Sequence, residues 1–400
     1  MATQVVRQVR PAAGRNRAPR WDYPLLIAAG ALVAIGLMMV YSTTFDWGYQ
    51  QYGDAAYFLV RQGLWLLLGI AAMLVMMRVD YGAWRRFSIP LMGGALVVLI
   101  AVLLLGQEQF GAQRSFFGGS IQPAELVKLI AVMYIADWLS SKGEKIRDVG
   151  YGLVPFAVLI GAIAGLIVLQ PDFGTAGVIV AVAGIMFFLA GADIGQILAG
   201  LVVSSGTFLL LIANSPHAQA RIQSYLDMLN DPAQASYHVQ QALIALGSGG
   251  LFGLGPGASR QKFGYLPVPH TDSVFAVLGE ELGLIGALIV IGLFAFLAYR
   301  GFRIALRAPD AYGTLTATGV TCWIVIEALI NIAVMIGILP LTGIPLPFIS
   351  YGGSALVSLL AAIGLLQSIA RGSRKGFTGS ALMDRRRRNG WPRLPRLGSG

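Results

Sequence analysis

The 400-residue sequence is 56% hydrophobic and only 12% charged, with a mean hydropathy of +0.70. Globular chains carry about 25% charged residues, so half that share excludes a soluble globule of this size, a disordered chain and a coiled-coil rod, and leaves a polytopic membrane protein. The net charge of +10 raises the question of nucleic acid, the single Cys322 excludes an intramolecular disulfide, and three scattered histidines, His217, His238 and His270, argue against a zinc centre.

Ten apolar segments follow one another along the chain: 24–41, 57–77, 88–105, 124–139, 151–169, 175–190, 194–213, 273–299, 312–339 and 353–370. A hydrocarbon core about 30 Å thick takes roughly 20 helical residues to cross, and peptide groups facing lipid must be paired within their own segment, so the spans are expected to be helices. The segments 124–139 and 175–190 are short and could be tilted or partly embedded. The expected architecture is all-α, with about ten transmembrane helices in a domain 24–370 between a basic, disordered leader, 1–23, and a basic, disordered tail, 371–400. The leader has no short apolar run with a cleavage site and does not read as a secretory signal. One connection, 214–272, is far longer than the others and is expected on the outer, extracytoplasmic side of the membrane; length of this kind usually serves function.

Basic residues orient the spans. Five arginines lie in 1–20, three basic residues cluster around each of Arg85, Lys145 and Arg303, and nine follow residue 370, so 23 of the 29 fall on the cytoplasmic side if both termini are inside. The positive charge is then a matter of topology, with attraction to anionic membrane lipids as a consequence, and nucleic acid is not expected as a partner.

Six basic residues remain for the outer side or the outer half of a span: Arg61, Arg114, Lys128, Arg221, Arg260 and Lys262. Charges near hydrocarbon need partners. Glu125 and Lys128, three apart on one helix face, read either as a structural pair or, with Arg61 and Arg114, as cations converging on an anionic group such as a phosphate. Asp172, in the sequence QPDFGTA, reads first as a cap or turn former. Asp272, in VPHTDSVF, is either the N-cap of the next helix or a functional acid, with Glu280 and Glu281 about two turns further on. Glu327 and Asn331, at i and i+4, are expected to hydrogen-bond inside the bundle. The glycines of GSGGLFGLGPG, from Gly247, are a weak nucleotide signature and read better as flexible backbone beside a bound chain. The segment 237–246 has an apolar face suited to lying along the interface.

The motifs GAQR from Gly111, QPAELVK from Gln122, LQPDFGTA from Leu169, HTDSVFAVLGEELG from His270 and TGIPLPFISYGGSAL from Thr342, together with the glycine-rich run, occur in one order across 24–370 and resemble the SEDS family of RodA, FtsW and SpoVE proteins. The TGIPLPFISYGG run is most like the elongation branch, that of RodA. The resemblance implies a peptidoglycan glycosyltransferase in the bacterial cytoplasmic membrane that polymerises lipid II into glycan strands and works with a class B penicillin-binding protein. It implies Asp272 as the catalytic base, and Arg61, Arg114, Glu125, Lys128, Asp172, Glu280, Glu281 and Ser350 as the substrate-binding set. Val268 stands where the family commonly has Glu, and Glu327 where a neutral polar residue is expected. No dedicated cofactor is implied; a divalent cation, Mg²⁺ or Mn²⁺, could act as a Lewis acid, although no cage is written in the sequence. Two other readings stay open: a flippase for the lipid-linked precursor, which would want an ionisable path through the midplane, and a non-catalytic scaffold.

Overall fold

A computed structural model describes residues 21–109, 112–115, 122–231 and 234–388, without the side chains of 107–109, 112–115, 217 and 373–388. The described helices are α1 (Tyr23–Tyr52), α2 (Tyr57–Arg78), the short α3 (Tyr81–Arg86), α4 (Ser88–Leu105), α5 (Pro123–Lys142), α6 (Val154–Val168), α7 (Phe173–Leu189), α8 (Ile194–Ala213), α9 (Pro216–Asn230), α10 (Tyr237–Ser248), α11 (Val274–Ala305), α12 (Ala311–Met335) and α13 (Gly353–Arg388). The single departure from an all-helical chain among the described residues is an antiparallel hairpin of β1 (Gln107–Gln109) and β2 (Ala112–Ser115).

Among the described residues eight helical stretches are long and apolar enough to cross a membrane, and the chain is a multi-pass helical membrane protein. They are α1, α2, α4, Val149–Val168, α8, α11, α12 and Gly353–Gly372 of α13. The two segments expected to be short correspond to α5, which carries the ionisable Glu125 and Lys128, and to the 17-residue α7. Many helix starts are set by carboxylates: Asp22 accepts from the Leu25 amide, Asp172 from Thr175, Asp310 from Gly313, and Asp193 forms a capping box with Gln196. Burial is unequal. α12 and the described part of α13 sit in the middle of the bundle, whereas Gln196 is the one buried residue of α8, whose apolar residues are left for lipid.

The connection 214–272 is a folded structure. It holds α9 and α10, and its glycine-rich stretch after α10 threads into a break in α11. At Gly283 the backbone takes φ 67 and ψ −170, leaving carbonyls and amides without helical partners. The threaded stretch supplies them: Leu254 and Gly255 donate to the Glu280 and Glu281 carbonyls at 2.9 and 3.0 Å, and Leu284 and Ile285 donate to Gly250 and Leu251 at 2.9 and 3.2 Å. A broken helix is tolerated at membrane depth when another segment restores its hydrogen bonds in this way. The contact is backbone on backbone, since a Cβ at Gly253 would lie 2.1 Å from the Glu281 oxygen. Gly249 and Gly253 therefore permit close approach to the chain's own helix, where the sequence suggested flexible backbone beside a bound chain. α10 packs on α11 through Val239, Ala242 and Ala245 and leaves Leu243 and Ile244 exposed.

Candidate functional site

Asp272 lies one residue before Ser273, the N-cap of α11, half-buried, in a segment held by its main chain. Three successive carbonyls are bound. The Tyr351 amide donates to His270 O at 2.8 Å, the Ser350 hydroxyl to Thr271 O at 2.6 Å, and the Asn331 amide to Asp272 O at 2.8 Å. Asn331 also donates to Ile344 O at 2.8 Å, and Ser350 Oγ accepts from the Leu346 amide. α12 and the irregular stretch between α12 and α13 thus hold residues 270–272 from below and beside. The Asp272 carboxylate faces Gly343, where an added Cβ would stand 3.5 Å from Oδ2. Gly174, in the first turn of α7, packs on Ile344 and Thr342, so the turn capped by Asp172 adjoins the same stretch.

Aromatic rings close one flank. The His270 imidazole packs on Trp47 at 4.9 Å between ring centroids and meets Tyr351 edge-on at 6.1 Å, and Trp47 stacks on Phe58 at 4.4 Å. Burial pushes the imidazole down to about 4, so it is neutral at pH 7. On the other side His238 contacts the Ser273 hydroxyl at 2.6 Å, and burial followed by the Arg221 charge lowers its imidazole below the usual range. Tyr351 is raised by burial, against the opposing influence of the nearby Arg61 guanidinium.

Two buried ionic clusters flank this arrangement. In the first, the Lys262 ammonium donates to Glu281 Oε1 at 2.9 Å, Ser42 Oγ at 2.8 Å and Gly257 O at 2.7 Å, with the Phe45 and Phe263 rings alongside. Glu281 also accepts from the Ser42 hydroxyl at 2.5 Å and the Gly257 amide at 2.9 Å. Its neighbour Glu280 accepts from Ser259 Oγ and from the Arg260 and Gln261 amides. In the second cluster, Lys128 on α5 lies between Glu125, at 2.9 Å, and Glu327 on α12, with the Trp323 ring 5.3 Å away. Glu125 and Glu327 line a small cavity with Ser350 and Tyr351.

The expected site residues accordingly separate into groups. Asp272 and Ser350 meet, Ser350 through its bond to the carbonyl beside Asp272. Glu125 and Lys128 form the expected pair, joined by Glu327. In this conformation the Lys128 ammonium is enclosed by the two carboxylates and is 2% exposed, so it does not present itself to an external anion. Glu280 and Glu281, at 1% and 0% exposure, face the chain's own loop rather than a substrate groove. Asp172 caps α7. Arg61 is half-buried in the first turns of α2, near Tyr351. Arg114 lies in β2, and its side chain is outside the described residues. Glu327 and Asn331 share a face of α12, but each is also tied elsewhere, Glu327 to Lys128 and Asn331 to Asp272. Sequence reasoning missed two participants. His270 stands two positions before Asp272 in the motif already singled out, whereas Ser42, in an apolar span, left no signal.

The fold and site define a class first: a multi-pass helical membrane protein with a half-buried acid held at one end of the bundle. The family of cell cycle proteins that comprises FtsW, RodA and SpoVE matches residues 23–375, and the chain belongs to this family. Stage V sporulation protein E of Bacillus subtilis (strain 168) is 43% identical over 358 residues, covering 88% of this chain and 98% of that protein. A probable peptidoglycan glycosyltransferase FtsW of Geobacter metallireducens is 39% identical, covering 88% and 95%. Among solved structures, a chain from a peptidoglycan synthase complex that coordinates polymerization and crosslinking superposes with a TM-score of 0.70 at 28% identity, covering 88% of this chain and 98% of that one. Thermus thermophilus RodA gives 0.65 at 29% identity, covering 88% and 97%. SpoVE, FtsW and RodA names thus all occur among the relatives, without singling out the elongation branch.

Proposed function

We propose that this protein is a peptidoglycan glycosyltransferase that polymerises lipid II at the outer face of the bacterial cytoplasmic membrane, with Asp272 as the catalytic base. The observation that carries the reading is the triple clamp on His270, Thr271 and Asp272, which fixes the backbone of one half-buried acid while leaving its position at the end of the bundle. The names borne by the relatives support the same activity.

The chemistry follows from the residues. The acceptor hydroxyl oxygen attacks the anomeric carbon of the α-linked donor, the bond from that carbon to the diphosphate oxygen breaks, and the hydroxyl proton passes to the Asp272 carboxylate. Attack opposite to the leaving group inverts the anomeric centre and gives a β-1,4 link. Arg61 and Arg114 are the cations we assign to the departing diphosphate, whose growing charge they stabilise in a partly dehydrated site. Neutral His270 beside Asp272 adds no competing positive charge. Among the described residues no three His, Cys, Asp or Glu side chains converge as metal ligands.

In this reading the ten expected segments all cross the bilayer, both termini are cytoplasmic, and α9, α10 and Asp272 lie outside. Reporter fusions after Gln234 and at the C-terminus test this orientation: an outside signal from the first and an inside signal from the second are expected, and the reverse would overturn it. Precursor transport is the second reading, favoured by the buried ionisable cluster on α5 and α12. The purified protein, given purified lipid II, separates the two. Glycan strands are the expected product, in higher yield with a single-span class B penicillin-binding partner than without. Movement of labelled lipid II across vesicles with no polymer would give the function to transport.

A further inference from the structure

Two features of the α5 and α12 cluster remain unmatched after its contacts are counted. The first is charge. Glu125 and Glu327 both close on the single ammonium of Lys128, and the three side chains are between 2% and 6% exposed. Full ionisation would leave one negative charge without a counter-ion in the middle of the bundle, where an uncompensated charge is strongly unfavourable.

The second feature is a missing hydrogen. Asn331 gives its amide hydrogens to Asp272 O and Ile344 O, which fixes the orientation of the amide, because a flipped group would set oxygen against two carbonyls. Its Oδ1 is then buried with no donor. Buried acceptors are rarely left in this state. Glu327 is four residues earlier on α12, one turn away on the same face, where Cβ atoms stand about 5–6 Å apart.

The groups facing Glu327 are few. Lys128 and Glu125 come from α5, the Trp323 indole N–H from one turn earlier on α12 itself, Ser350 and Tyr351 from the stretch before α13, and α13 brings apolar Leu356 and Leu359. Lys128 is the one cation among them, and the Ser350 hydrogen is already committed to Thr271 O. A single hydrogen on Glu327 answers both the surplus charge and the orphan acceptor.

We propose that Glu327 carries a proton and donates it to Asn331 Oδ1, which makes Glu327 a positioning residue for Asp272: it holds the amide that holds the Asp272 carbonyl. The positioning role rests on the reading of Asp272 as the base; the protonated state does not. In the Glu327→Gln variant the amide N–H can still donate to Oδ1, whereas Glu327→Ala removes the donor altogether.

Infrared spectroscopy of the full-length protein in lipid at neutral pH tests the protonated state without any turnover. The carbonyl stretch of a protonated carboxylic acid is expected in the wild type, lost in Glu327→Gln and shifted in frequency in Asn331→Ala, which removes the acceptor of its hydrogen. An unchanged spectrum in Glu327→Gln, or an unshifted band in Asn331→Ala, would overturn the assignment. Polymerisation kinetics then test positioning: Glu327→Ala is expected to lower kcat about tenfold, the effect of one unsatisfied buried acceptor, with KM little changed and the rate largely restored in Glu327→Gln. Equal rates for the Ala and Gln variants would remove the positioning role. Failure of the wild type to polymerise lipid II would instead count against Asp272 as the base and leave the infrared result standing.

Discussion

Lys262 and Lys128 are both buried ammonium groups, yet they are balanced differently. Lys262 meets one carboxylate, one hydroxyl and one carbonyl, so its three hydrogens and its charge are all matched, and it ties α1 and the broken α11 to the loop that leads to Asp272. Lys128 meets two carboxylates and therefore sits in a cluster with an acid to spare. The difference teaches that buried charge is used here in two ways: a closed brace that fixes a loop, and an open cluster that retains a proton one helical turn from the residue anchoring Asp272.

Breaking the brace is expected to have the larger effect. Lys262→Met leaves Glu281 buried without its cation, which costs about 3–5 kcal/mol, and thermal unfolding in detergent should show it. Pairing the change with Glu281→Gln removes the stranded charge and should recover part of the loss. The other cluster should respond in the opposite sense to loss of a carboxylate. Glu327→Gln is expected to cost under about 1 kcal/mol, because the amide substitutes for a neutral acid, whereas Glu281→Gln alone strands the Lys262 ammonium. Equal destabilisation by Glu281→Gln and Glu327→Gln would erase the distinction between the two clusters.

The smallest expected effect concerns His270, whose folded imidazole is depressed to about 4 against an ordinary value near 6.5. Between these values the unfolded chain binds the proton and the folded one does not. The contribution of His270 is therefore fully present above about pH 6.5 and is lost as pH falls toward 4. Melting temperatures recorded across that window should decline in the wild type more steeply than in His270→Gln. Parallel curves would mean that the ring is reached by water and titrates normally.

Much of this arrangement was legible in the sequence, for identifiable reasons. Apolar runs of span length marked each of the eight long membrane helices, and the charges of α5 announced that this helix differs. The pairing of Glu125 with Lys128 followed from helical spacing, and Asp172 capped a helix as its turn sequence suggested. The threading of the segment after α10 into the break at Gly283 was not legible, because backbone pairing with backbone leaves no side-chain periodicity. Glycine density was its only trace. The substrate role that the resemblance implies for Glu280 and Glu281 does not show their actual partners, for a related reason: these are amides, hydroxyls and the Lys262 ammonium, mostly from the loop, and a one-dimensional sequence does not show a loop folding back. Glu327, the third member of the Lys128 cluster, was legible as a buried polar neighbour of Asn331 and as a residue out of keeping with its family, but not as a partner of Lys128, which lies 199 positions away.

The most direct measurement is the rate of glycan formation from purified lipid II by the Asp272→Asn variant. Asn keeps the size of the side chain, serves equally well at a helix N-terminus and leaves the main-chain clamp from Tyr351, Ser350 and Asn331 in place, but it cannot accept a proton. The expected result is a loss on the order of 10²-fold or more in rate, with an unchanged melting temperature and unchanged binding of the lipid substrate. A folded Asp272→Asn protein that polymerises lipid II at the wild-type rate would contradict the assignment of Asp272 as the base.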